Sequence, residues 1–130
     1  MSLVGKWSFV SADQLEEYMQ ATGVPDNLRE VARKSQPSME ISQNGDSWTI
    51  KTIVGDKEKD STFTIGKEFE SKSLTGQSLK CIVDMEGDKM IETQQEGSNE
   101  VLITRSVSGD TLVSTMTFGD VTATVTFKRA

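Results

Sequence analysis

The chain has 130 residues, enough for one domain with a core of its own, and it is acidic: 14 Lys+Arg against 20 Asp+Glu give a formal net charge of -6. That balance excludes a chain-wide basic footprint for nucleic acid. With no histidine and one cysteine, Cys81, it also excludes Ser-His-Asp and Cys-His catalysis, the usual zinc sites and an intramolecular disulfide, so no metal or other cofactor is expected.

Met1-Ser2-Leu3-Val4-Gly5 has no basic segment followed by a long apolar run, and no stretch approaches the ~18 apolar residues of a membrane helix. A cytoplasmic, monomeric protein is expected. Gly5-Lys6-Trp7-Ser8-Phe9-Val10 alternates and reads as a first strand with Trp7 and Phe9 on one face. Ser11-Ala12-Asp13-Gln14 then reads as a capping box. Leu15, Tyr18 and Met19 follow at i, i+3 and i+4, an apolar helix stripe, and Gly23 is placed to stop that helix. Pro25-Asp26 starts a second short helix with Leu28, Val31 and Ala32 on one side, and Pro37 bars its continuation.

From Ser38 onward the pattern predicts nine strands: 39–43, 46–54, 61–65, 68–73, 78–85, 89–94, 100–107, 111–117 and 121–128. Asn44-Gly45 is a strong hairpin signal, and the charged stretch 55–60 reads as a turn. Gly45, Gly55, Gly66, Gly76, Gly87, Gly97, Gly109 and Gly119 recur every ten to twelve residues, the spacing of turns between short antiparallel strands. A meander of about ten strands curls or closes rather than staying flat. The expectation is an all-β protein, a ten-stranded up-and-down antiparallel barrel over 1–130 as one domain, with a two-helix lid between strands one and two. Hydrophobic residues make up 35% of the chain, a thin supply that suits a barrel with a partly wet interior better than a solid core. Barrels of this size enclose a ligand cavity.

Several segments now carry a resemblance: Gly5-Lys6-Trp7 ahead of the helix pair, Ile41-Ser42-Gln43-Asn44-Gly45-Asp46, Phe63-Thr64-Ile65-Gly66-Lys67-Glu68-Phe69, and Met116-Thr117-Phe118-Gly119-Asp120-Val121. Together they resemble the intracellular lipid-binding proteins, the cytosolic fatty-acid-binding proteins and their retinoid- and bile-acid-binding relatives, over the whole chain. Thr75-Gly76, Glu86-Gly87-Asp88 and the closing Lys128-Arg129 are most similar to the liver and ileal branch. The resemblance implies a lipocalin-like barrel around a water-containing cavity. It also implies a portal at helix two, the Gly55-Asp56-Lys57 turn and the Leu74-Thr75-Gly76 turn. The implied function is non-enzymatic binding and intracellular transport of a long-chain fatty acid or similar hydrophobic ligand.

Many members of that family clamp the ligand carboxylate with two arginines and a tyrosine. Arg105 matches the first arginine, whereas Val125 and Phe127 stand where the C-terminal arginine and tyrosine should be. Arg105 alternates with Ile103 and Val107, so it lies on an apolar face, where a guanidinium is costly unless paired. It reads either as a headgroup anchor, its planar fork matching a carboxylate, or as an internal arginine satisfied by neighbours. By matched position Glu92 and Gln94 are inward and could partner it. A Glu92–Arg105 pair would shift the preference towards a neutral or hydroxylated ligand.

The same register turns Met39 and Ile41 inward, then Trp48, Ile50, Thr52 and Val54, then Leu79, Cys81 and Val83, then Ser114 and Met116, and then Ala123, Val125 and Phe127. Leu15 and Met19 would face the cavity from the lid, with Leu74 at the portal. Met19, Met39 and Met116 suit varied apolar ligands, while Thr52, Gln77 and Ser114 could bond a polar headgroup or water. Trp7 reads as core at the closed end, and Cys81 as an inert buried thiol. Arg29, Arg33 and Lys34 form a local basic excess on helix two, either a solvated face or a dock for anionic membrane surfaces.

Two further classes stay open. Glu92 beside Arg105 is a conceivable acid–base pair, but there is no nucleophile elbow, phosphate loop or metal cluster to go with it. The outer barrel surface could instead serve as a protein-interaction module.

Overall fold

A computed structural model describes residues 3–23, 26–27, 29–30, 37–55, 57–72, 78–87, 89–96 and 99–130. The strands are β1 (Gly5–Asp13), β2 (Ser38–Asn44), β3 (Ser47–Val54), β4 (Lys57–Thr64), β5 (Phe69–Lys72), β6 (Ser78–Glu86), β7 (Lys89–Glu96), β8 (Asn99–Ser108), β9 (Thr111–Phe118) and β10 (Val121–Arg129), with helix α1 (Leu15–Ala21) after β1. They form one antiparallel sheet in the order β4-β3-β2-β1-β10-β9-β8-β7-β6-β5. The sheet curls into a nearly closed barrel whose seam lies between β4 and β5. Stacked rings of Phe63 and Phe69, centroids 5.2 Å apart, bridge that seam, and the Gly66 N–H donates to the Val83 carbonyl at 2.8 Å.

Each strand alternates as a half-buried strand must. On β10 the buried residues are Ala123, Val125 and Phe127; on β6 they are Leu79, Cys81 and Val83. The closed end is filled by a packed cluster that includes Trp7, Met39, Ile41, Ile50, Phe63, Val83, Met90, Leu112, Val125 and Phe127. Trp7 is core, as its sequence position suggests. Its indole N–H donates to the Leu3 carbonyl at 2.9 Å, and the Arg129 guanidinium lies 4.4 Å above its ring. Gly5 makes that stacking possible: a Cβ there would come within 2.8 Å of Arg129 Nη1, and its φ of +142° is one that L side chains rarely adopt.

Three expectations are corrected. The Ser11–Gln14 capping box does not form, because a bulge between Phe9 and Ser11 lets β1 continue and pair Ser11, Ala12 and Asp13 with Thr126, Val125 and Thr124. Ladder bonds take precedence over the cap, and Gln14 precedes α1 at φ 58° with no side-chain cap bond. The first hairpin turns at Gly45-Asp46, between the paired Asn44 and Ser47, one residue later than Asn44-Gly45, because glycine supplies the positive φ at the first turn position. The charged stretch read as a turn is strand: β4 begins at Lys57, with Val54 and Lys57 paired. Glu58 and Asp60 are outward strand positions, and Glu58 forms an ion pair of 2.9 Å with Lys51 of β3. Of the expected two-helix lid, the described residues hold α1 as a complete helix. The second falls largely outside the described residues, although Asp26, Asn27, Arg29 and Glu30 are helical. Thr22 ends α1, its hydroxyl donating to the Tyr18 carbonyl at 3.0 Å, and Gly23 follows at φ 82°.

Inward and outward leucines on neighbouring strands give a direct check on the register. Leu112 is fully buried and Leu102 is 40% exposed. Leu112→Ala should cost about 2–5 kcal/mol and Leu102→Ala no more than about 0.5 kcal/mol, read from urea midpoints at unchanged slope. Equal losses would contradict this register.

Candidate functional site

Above the apolar cluster the interior turns polar. On β7 the residues Met90, Glu92 and Gln94 share the inward face; on β8 it is Ile103, Arg105 and Val107. The β7–β8 register sets Glu92 opposite Ile103 and Arg105 opposite Met90, so the carboxylate and guanidinium are diagonal neighbours on one face. They meet. Arg105 Nη1 donates to Glu92 Oε1 at 2.9 Å, with the residues 9% and 6% exposed. The Gln94 amide donates to the other oxygen, Glu92 Oε2. Burial alone would push the Glu92 carboxyl up, but the Arg105 charge, the bonds from Gln94 and Arg105, and the Lys59 charge outweigh it and hold it below its ordinary value.

The pair is not fully satisfied. Arg105 Nε and Ser114 Oγ are both buried and have no hydrogen-bond partner among the described residues. They belong to residues paired across β8 and β9, so the two unmet groups lie side by side on the wall. Facing this wall, Thr52, Lys59 and Ser61 of β3 and β4 line a cavity of about 40 Å³ with Glu92, Gln94 and Arg105; Ser71 of β5 joins them. A larger cavity of about 170 Å³ lies where the end of α1, Ala21 to Gly23, meets Leu79, Val101 and Phe118. Gln94 lines both.

Two site residues went unread in the sequence. Lys59 shares the inward face of β4 with Ser61 and Phe63. Burial lowers its pKa, opposed by Glu92 and Cys81 and assisted by Arg105. The signal is its period-two spacing with Ser61 and Phe63, which a turn over 55–60 hides. Tyr18 belongs to the apolar stripe of α1. Burial, with help from the Glu92 charge and against the Arg105 charge, pushes its phenol up to about 12. The hydroxyl therefore stays protonated beside the ion pair.

The other expected residues divide. Met39, Ile41, Ile50, Val125 and Phe127 belong to the packed cluster, and Leu15, Trp48 and Met116 pack against it. Met19, Leu79, Cys81, Ile103 and Ala123 are buried outside that cluster; Thr52 lines the polar cavity, and Val54 is partly buried at the end of β3. Burial first, then Glu92, pushes the Cys81 thiol up to about 11 against the pull of Lys59, so it stays a thiol. Arg29 is ion-paired to Asp26 at 2.8 Å with its side chain 17% exposed, so its charge is turned onto its own helix. Leu74, Gln77, Arg33 and Lys34 lie outside the described residues. Among the described residues no group of three or more Cys, Asp or Glu side chains could hold a metal, and no helix is long and apolar enough to cross a membrane.

Comparison with known proteins agrees with this architecture. The model of the lipocalin / cytosolic fatty-acid binding protein family matches residues 1–130. The chain belongs to that family. It is 35% identical over 129 residues to the liver fatty acid-binding protein of Sus scrofa, covering 99% of this chain and 96% of the relative. Among solved structures it resembles the REP1-NXSQ fatty acid transporter (TM-score 0.93, 35% identity, 98% and 96% of the two chains). It also resembles a Schistosoma mansoni fatty acid binding protein in complex with arachidonic acid (TM-score 0.92, 32% identity, 98% and 95% of the two chains). The family assignment made from sequence motifs therefore holds.

The pair also sets a stability test. Glu92→Gln strands a buried guanidinium and should cost about 3–5 kcal/mol at pH 7, measured by urea unfolding. Because the native carboxyl titrates below its unfolded value, its contribution is full above the ordinary carboxylate range and is lost as pH falls through the depressed native value. The gap between wild type and variant should therefore narrow on acidification; a gap independent of pH would show that the carboxylate charge is not what stabilises.

Proposed function

We propose that this protein binds a long-chain fatty acid in its barrel and carries it through the cytoplasm as a monomer, without chemical change to the ligand. One observation carries the reading: a family barrel spanning the whole chain whose interior layers an apolar cluster beneath a buried ionic site. The fatty acid-binding relative from Sus scrofa and the arachidonic acid complex of the Schistosoma mansoni protein support the ligand class. Arg105 Nε and Ser114 Oγ are the donors available to a headgroup on the β8–β9 wall.

A second reading is favoured by the Glu92–Arg105 ion pair, which cancels the charge an anion would seek there. On that reading the cargo is a neutral or hydroxylated lipid. Pickup at anionic membranes is part of the proposal through Arg33 and Lys34, since Arg29 is already committed to Asp26.

Native purification, solvent extraction and mass spectrometry test the cargo. A long-chain fatty acid in near-stoichiometric amount, recovered unaltered, is the expected result. A retinoid, bile acid or other neutral lipid would move the assignment to the second reading, and a barrel that neither co-purifies with lipid nor takes one up would overturn both.

A further inference from the structure

The titratable groups around the polar cavity come from five elements. Arg105 on β8 and Glu92 on β7 cancel one another across 2.9 Å. Cys81 on β6 and Tyr18 on α1 keep their protons and contribute no charge. β10 offers the interior only Ala123, Val125 and Phe127. That leaves Lys59 on β4, and with it the described lining carries one net positive charge.

Among the described residues, nothing neutralises Lys59 directly. Both Glu92 oxygens are already engaged, one by Arg105 and one by Gln94. Among the described residues no ion pair or hydrogen bond holds Lys59 Nζ; its attraction to Glu92 acts only through space. Yet its position is fixed, because the β3–β4 ladder pairs it with Thr52 and alternation turns it inward beside Ser61. A partly buried ammonium with no ionic partner costs stability unless an anion joins it. Arg105 lines the same cavity, and its Nε has no hydrogen-bond partner among the described residues; nor has the Oγ of Ser114, its partner across the β8–β9 ladder.

We propose that Lys59 is the residue that makes this cavity accept an anionic headgroup, the lipid carboxylate lying between the Lys59 ammonium on β4 and the Arg105–Ser114 wall. The inference rests on the carrier reading and deepens it. Arg105 then positions the headgroup while neutral as a pair, and Lys59 decides between acid and alcohol. A cation on the four-carbon stem of lysine reaches such a site without a fixed donor geometry.

Oleate and oleyl alcohol share a chain and differ in headgroup charge, so titration calorimetry of each against delipidated wild type, Lys59→Met and Lys59→Arg tests the idea. Lys59→Met should weaken oleate by about ten- to a hundredfold and leave oleyl alcohol within about twofold, while Lys59→Arg keeps most of the oleate affinity. Without ligand, Lys59→Met should melt at or above the wild-type temperature, since it removes an unpaired cation; if it does not fold, Lys59→Gln serves the same comparison. Oleate affinity unchanged in Lys59→Met, or equal losses for both lipids, would overturn the role of Lys59 while leaving the carrier reading intact. A wild type that takes the alcohol and refuses oleate would overturn it in favour of the neutral-lipid reading. A wild type that takes neither would remove the carrier reading along with it.

Discussion

Every ladder in this sheet but one joins strands consecutive in the chain. The exception is β1 with β10, and it turns a string of local hairpins into a barrel. Its cost is entropic: the ends of nearly the whole chain must be brought together before any contact rewards it. Several interactions converge there. The Ala130 N–H donates to the Lys6 carbonyl at 2.9 Å, and Arg129 Nη1 donates to the Val4 carbonyl at 3.1 Å while its guanidinium covers Trp7. Phe9 of β1 meets Phe127 of β10 edge to face at 6.4 Å. Once this junction forms, the inward face of each strand has no solvent alternative. A slip of one residue in any ladder would expose its apolar set and bury its polar one.

That enforced register explains how charge comes to lie inside the barrel of an acidic chain. Arg105 cannot turn away from the interior without taking Ile103 and Val107 with it, so the chain answers it in place with Glu92. A buried pair of this kind is weak support for stability, because desolvation consumes much of the mutual attraction. Its persistence together with unmet groups at Arg105 Nε and Ser114 Oγ points to a wall shaped for something other than the protein's own packing.

Much of this was legible in the residues. Strands with clean alternation, such as β2, β6 and β10, announced their inward faces, and the family motifs followed from Gly5-Lys6-Trp7 to Met116–Val121. Arg105 and Glu92 were identified as possible partners because an arginine between Ile103 and Val107 demands one. The failures share a cause. Ser11–Gln14 and the 55–60 stretch were judged by local chemistry, a cap signature and a cluster of charge, and in both places ladder pairing to a distant or adjacent strand overrode it. Misjudging the second concealed Lys59, since a lysine in a turn has no inward face. Tyr18 stood in a recognised stripe, but a helix stripe alone does not say which side chain reaches the charged layer.

β4 is also one of the two strands that end the sheet order. An edge strand offers its unpaired backbone to any passing strand, including that of another copy. Here that edge is studded with charge: Glu58 and Asp60 outward, Lys59 inward. A second β4 pairing in antiparallel register would have to desolvate these charges or set like against like. The run of charge that looks so little like a strand thus keeps the barrel's seam from becoming a seed for aggregation.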